Sequence, residues 1–132
     1  MTINPTSEFT APNEPNHTQP LKAAIDLAGA LDRVEGDREF LAELAEIFLQ
    51  EMNDLLATMD SSAVTNDAKA IGRTAHTLKG AAANFCADEL QAIAWQLEQL
   101  GNQGAIDQIP AVLAALRGEA QRVEQTLRAE FP

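Results

Sequence analysis

From Arg38 to about Asp60, the apolar residues Phe40, Leu41, Leu44, Ile47, Phe48, Leu55, Leu56 and Met59 recur with helical spacing. That pattern predicts a long amphipathic helix with one face turned to a core. A second stripe, Ile71, Ala75, Leu78, Ala82 and Phe85, is spaced four, three, four and three and predicts another helix. Leu90, Ile93, Ala94, Leu97 and Leu100 mark a third, closed by Gly101 with Gly104, and Val112, Leu113, Leu116, Val123 and Leu127 a fourth that begins near Pro110. Ahead of them, Leu27, Leu31 and Val34 fit a short helix capped by Asp26 and ended by Gly36, after which Asp37 caps the long helix. Polar Ser61–Asp67 is expected to break the chain between the first two long helices, with Asn66 or Asp67 as the next cap, and Ala87-Asp88 marks a tight reversal. Residues 1–20, where Pro5, Pro12, Pro15 and Pro20 punctuate Asn- and Thr-rich sequence, read as a disordered tail. Residues 21–132 then form one domain: an all-α, antiparallel up-down-up-down four-helix bundle with a short extra N-terminal helix.

A chain of 132 residues is long enough for one such core and leaves no room for a separate catalytic domain. No apolar run approaches the ~20 residues that span a membrane, and the N-terminus lacks a signal-peptide pattern, so a cytoplasmic setting is the expectation. One cysteine, Cys86, precludes an intramolecular disulfide and reads as a small buried residue. Phe40, Phe48, Phe85 and Trp95 read as core or half-buried packing residues. The formal charge of −11 argues against nucleic acid and anionic membrane as partners, both of which need a broad basic face.

Within this acidic chain, residues 68–87 carry no acid, yet hold Lys69, Arg73 and Lys79. His76 lies in that window, about 100° round the helix from Ala75 and just off the apolar stripe. Lys69, Gly72, Arg73, Lys79, Gly80 and Ala83 share its face at spacings of three, four and seven. Glycine in a helix interior costs roughly 1 kcal/mol relative to alanine. Gly72 and Gly80, one turn either side of the histidine, therefore call for a compensating reason, and clearance around the ring is the simplest. A positive patch with room around an imidazole suits an arriving anion such as a phosphoryl group, whose oxygens Lys79 could meet as a point charge. The other histidine, His17, falls in the tail with no ligand-like neighbour. His76 and Cys86 make an improbable metal pair, because ten residues of helix separate them by roughly 15 Å.

The run Ala75-His76-Thr77-Leu78-Lys79-Gly80-Ala81-Ala82-Ala83-Asn84-Phe85 resembles the signature of the histidine-containing phosphotransfer (HPt) domain of multistep phosphorelays. The resemblance extends to Leu31–Asp37 with Phe40–Leu44, and to Leu97–Gly101, covering about residues 21–102, with the last helix similar in character only. It implies that His76 accepts a phosphoryl group on Nε2 from the aspartyl phosphate of a response-regulator receiver domain and passes it to another receiver. It further implies that Lys79 steadies phosphoryl oxygens and that Gly80 leaves space for the receiver's loops. Glu98, at the family's place for a polar partner, is expected to hold the other ring nitrogen. Lys69, Gly72, Arg73 and Ala83 are the candidate docking residues. The implied partners are receiver domains and a hybrid histidine kinase, with Mg²⁺ carried by the receiver and no cofactor or autonomous kinase activity on this chain; the sequence has no Gly-x-x-x-x-Gly-Lys-Ser/Thr loop to suggest a nucleotide site, and a helical bundle with a dedicated exposed face is expected to work as a monomer.

Cys86 departs from the family pattern, standing where glycine usually follows Asn-Phe. Two other readings compete with the relay protein, itself either free-standing or the terminal module of a larger kinase. One is a non-phosphorylated helical adaptor that docks on receivers, and retention of His76, Lys79 and Gly80 argues against it. The other is the phosphoacceptor domain of a chemotaxis-type kinase, phosphorylated by an ATP-binding domain.

Overall fold

The computed structural model describes residues 22–132, so the tail assigned to residues 1–20 lies outside the described residues. Five α-helices follow in order: α1 (Leu27–Arg33), α2 (Arg38–Val64), α3 (Ala68–Asn84), α4 (Asp88–Gln103) and, after a 3-10 turn at Ile106–Gln108, α5 (Ile109–Glu130). Helix α2 packs on α3, α3 on α4, α4 on α5, and α5 returns to α2, which closes a four-helix bundle with α1 against α2. Among the described residues no helix is long and apolar enough to cross a membrane.

The helix starts follow from aspartates placed to accept orphan backbone N–H groups. Asp26 accepts from the Gly29 amide at 3.0 Å, Asp37 from Phe40 at 3.0 Å, and Asp67 from Ala70 at 3.1 Å. The helix ends use a common device. After α3, the Ala87 amide reaches back to the Ala82 carbonyl and the Cys86 amide to that of Ala83, the paired bonds of a Schellman motif. The same pairs close α1 through Gly36 and Glu35 and α2 through Asp67 and Asn66. Each motif needs a left-handed residue, supplied by Glu35 (φ 56°), Asn66 (φ 55°) and Cys86 (φ 59°), whereas α4 uses Gly104 (φ 69°). Three-residue links between α2, α3 and α4 force consecutive helices to run antiparallel.

The core is lined by Leu41, Phe48, Met52 and Met59 of α2, Ile71, Ala75, Leu78 and Ala82 of α3, Leu90, Ala94 and Leu97 of α4, and Leu116, Val123 and Leu127 of α5. Phe48 and Phe85 stack with ring centroids 5.0 Å apart, tying α2 to the end of α3.

Four sequence expectations need correction. Helix α2 continues through Ser61–Val64 instead of stopping at Asp60, because Ser62 and Ala63 lie partly covered and the left-handed residue that ends the helix, Asn66, comes only after Thr65. Gly101 does not close α4: it lies inside the helix, facing Gly72, and Gly104 alone provides the stop. Phe40 and Ile47 belong to the exposed flank of α2, the buried stripe running through Ala45, Leu49 and Met52. Trp95 is exposed as well, whereas Phe48 and Phe85 are core residues.

Candidate functional site

Ala75 is fully buried, and the next residue of α3 therefore emerges at the edge of the interface with α4. There His76 keeps 65% of its side chain accessible, while its Nδ1 lies 2.8 Å from Glu98 Oε2 of α4. The other oxygen of the same carboxylate, Oε1, lies 2.8 Å from Lys79 Nζ. Glu98 itself is only 14% accessible and bridges the two side chains that α3 presents one turn apart. The hydrogen bond from Lys79 holds the Glu98 carboxyl below its ordinary range, the hydrogen bond from His76 acts in the same direction, and desolvation opposes both. An ionised Glu98 accepts from Nδ1–H, which fixes the neutral ring in the tautomer whose lone pair sits on Nε2. The nitrogen left free is the one that can act as a nucleophile.

This contact depends on how closely α3 and α4 approach. A Cβ on Gly101 would stand 2.6 Å from both the Cα and the N of Gly72 and 2.7 Å from the Ala68 carbonyl oxygen. On Gly72 it would meet the Glu98 carbonyl oxygen and the Gly101 Cα at 3.3 Å. The two glycines thus let the backbones touch one turn from Glu98 and His76. Gly72 is buried, so it neither clears space around the ring nor forms part of a docking surface; its reason lies in helix packing. At Gly80 a Cβ would meet nothing within 4 Å, and the residue is exposed, leaving open space one turn beyond His76.

Lys69 and Arg73 are exposed and, among the described residues, form no salt bridge, while Ala83 is half-buried. The acid-free window of residues 68–87 does not make an acid-free site, because the fold brings Glu98 into it and engages Lys79. Trp95, which the sequence assigns to packing, stands exposed beside this cluster. It follows buried Ala94 just as His76 follows buried Ala75, and it precedes Glu98 by three residues, a spacing that puts it on the side of α4 facing the site. With Lys79, Asp88, Gln91 and Ala92 it lines an open notch of about 440 Å³.

The family model described as the Hpt domain matches residues 43–126. Comparison with curated proteins gives no match. Among solved structures, the fold is similar to the crystal structure of histidine-containing phosphotransfer protein B (HptB) from Pseudomonas aeruginosa PAO1. The TM-score is 0.77 at 22% sequence identity, over 82% of this chain and 94% of that one.

Proposed function

The chain belongs to the Hpt domain family, and from that premise we propose that it is a phosphorelay carrier in which His76 takes a phosphoryl group from one receiver aspartate and delivers it to another. The observation that carries the reading is the fixed Nδ1–Glu98 contact of a ring whose remaining face is open. In the forward step the Nε2 lone pair attacks phosphorus in line, the bond from phosphorus to the aspartyl oxygen breaks, and that oxygen leaves as part of a carboxylate. The proton stays on Nδ1, and Glu98 stabilises the positive charge that the ring acquires. The resulting phosphoramidate is labile, so the same atoms run the reverse step onto a second receiver.

Lys79 has two calls on its ammonium. In the resting site it is paired with Glu98; an incoming phosphoryl group beside Nε2 offers a more highly charged acceptor, and a flexible lysine can turn to it while Glu98 keeps Nδ1. Gly80 admits the partner's loops. The proposal assigns Mg²⁺ to the receiver, where it would neutralise phosphoryl charge during transfer, and assigns this chain the nucleophile and its orientation.

The test is transfer of label from a phosphorylated receiver domain to this protein, with His76→Gln alongside. Acid-labile label on the wild type and none on the variant is the expected outcome. Failure of every receiver of the organism to label the wild type would refute the relay, and labelling by an ATP-binding kinase domain alone would favour the chemotaxis-type reading.

A further inference from the structure

We propose that Trp95 is the apolar anchor on which the receiver domain docks, its notch against Lys79 taking an aliphatic or aromatic side chain from the receiver surface around the phosphorylated aspartate. This deepens the relay reading and rests on it.

Among the described residues the large exposed hydrophobic side chains are Phe40, Ile47, Val64 and Trp95. The first three belong to α2, which contributes no side chain to the His76–Glu98–Lys79 cluster. Trp95 alone stands on α4, three residues before Glu98, where helical geometry brings side chains to about 5–6 Å between Cβ atoms. It is 53% exposed although α4 already fills its inner face with Leu90, Ala94, Leu97 and Leu100. Packing of the bundle therefore does not account for an indole at this position.

Lys79 is shared between the two features. Its ammonium belongs to the ion cluster, and the side chain also forms a wall of the notch that Trp95 lines. A domain that brings an aspartyl phosphate to Nε2 has to approach the accessible side of His76, and the notch adjoins that approach through Lys79, which belongs to both. Burying an indole there supplies affinity from apolar contact, which the small, polar and cationic residues of the surrounding α3 face do not. The side chain is rigid and amphipathic, so little conformational entropy is lost on docking.

Steady-state transfer from phosphorylated receiver to wild type, Trp95→Ala, Trp95→Phe and Ile47→Ala separates docking from chemistry. Trp95→Ala should raise KM about tenfold or more with kcat little changed, Trp95→Phe should restore most of the loss, and Ile47→Ala should match the wild type. Because the chain has one tryptophan, emission from the His76→Gln variant should shift as unphosphorylated receiver is added. Label transfer with an unchanged KM in Trp95→Ala, or a KM effect at Ile47 instead, overturns the Trp95 assignment and leaves the relay standing. An emission shift without label on any variant retains the docking surface and overturns the phosphoacceptor role. Neither label nor shift with any receiver overturns both.

Discussion

Replacing Gly101 with alanine should destabilise the protein, although helix propensity favours alanine by about 1 kcal/mol. The added Cβ would stand 2.6 Å from Gly72 Cα and N and 2.7 Å from the Ala68 carbonyl oxygen. Carbon atoms pack without strain at about 3.5–4.0 Å, so α3 and α4 would have to part locally by about 1 Å. All three obstructing atoms are backbone and have no rotamer to escape into. Overpacking of this kind costs about 1–3 kcal/mol and at times more, and because no obstructing atom can yield by changing rotamer the upper figure of about 3 kcal/mol applies; less the propensity gain of about 1 kcal/mol, a net loss of about 2 kcal/mol is expected. For a domain of this size that lowers Tm by about 8 °C in a thermal melt. The same separation would stretch the 2.8 Å contact between Glu98 and His76, one turn away, so transfer from a receiver should slow as well. Gly72→Ala should cost less, since its nearest obstruction is the Asn102 side-chain oxygen at 3.2 Å, with backbone at 3.3 Å. A Gly101→Ala protein that melts at or above the wild-type temperature would refute the close-packing argument.

Gly80→Ala should do the opposite to stability, raising it by about 0.5–1 kcal/mol in urea unfolding because a Cβ there meets nothing, while Gly80→Gln should slow transfer without loss of fold; unaltered transfer in Gly80→Gln would contradict the clearance role. Glu98 has a carboxyl held below its ordinary value of 4.5, so its contribution to stability is present above that pH and is lost as pH falls through the lower folded value. The stability gap between wild type and Glu98→Gln should therefore narrow on acidification, and a gap constant from pH 7 to about pH 3 would count against an ionised bridge. Cys86 occupies a left-handed conformation, φ 59°, and packs its thiol near Gly29, so Cys86→Gly and Cys86→Ala lose the same buried sulfur. Only glycine also removes the backbone cost, and it should be the more stable of the two by about 1 kcal/mol in chemical denaturation; equal stabilities would contradict that account.

The helix starts were legible because an aspartate caps through atoms two or three residues away, information that is local in sequence. Asp26, Asp37 and Asp67 cap as their positions imply, and the apolar stripes of α3 and α4 coincide with the buried faces. The end of α2 was less legible, since Ser61 and Ser62 look like loop residues by type, whereas the helix ends only at the left-handed Asn66. The glycines at 72 and 101 could not be interpreted from either helix alone; each is explained only by the other, across an interface between segments 29 positions apart. Glu98 is legible as the partner of the ring nitrogen only through the family resemblance, and its second contact, with Lys79, emerges only when the fold sets α4 against α3. Trp95 was hidden by its type, because an indole reads as core, and only its place one residue beyond Ala94 turns it outward.

The account turns on which ring nitrogen reacts. Phosphorylation of the wild type by a receiver domain, followed by ¹⁵N–³¹P correlated NMR of the ring, reads that nitrogen directly. The prediction is a single phosphoramidate at Nε2 of His76, with Nδ1 still protonated against Glu98. Phosphate on Nδ1, or on any residue other than His76, would contradict it.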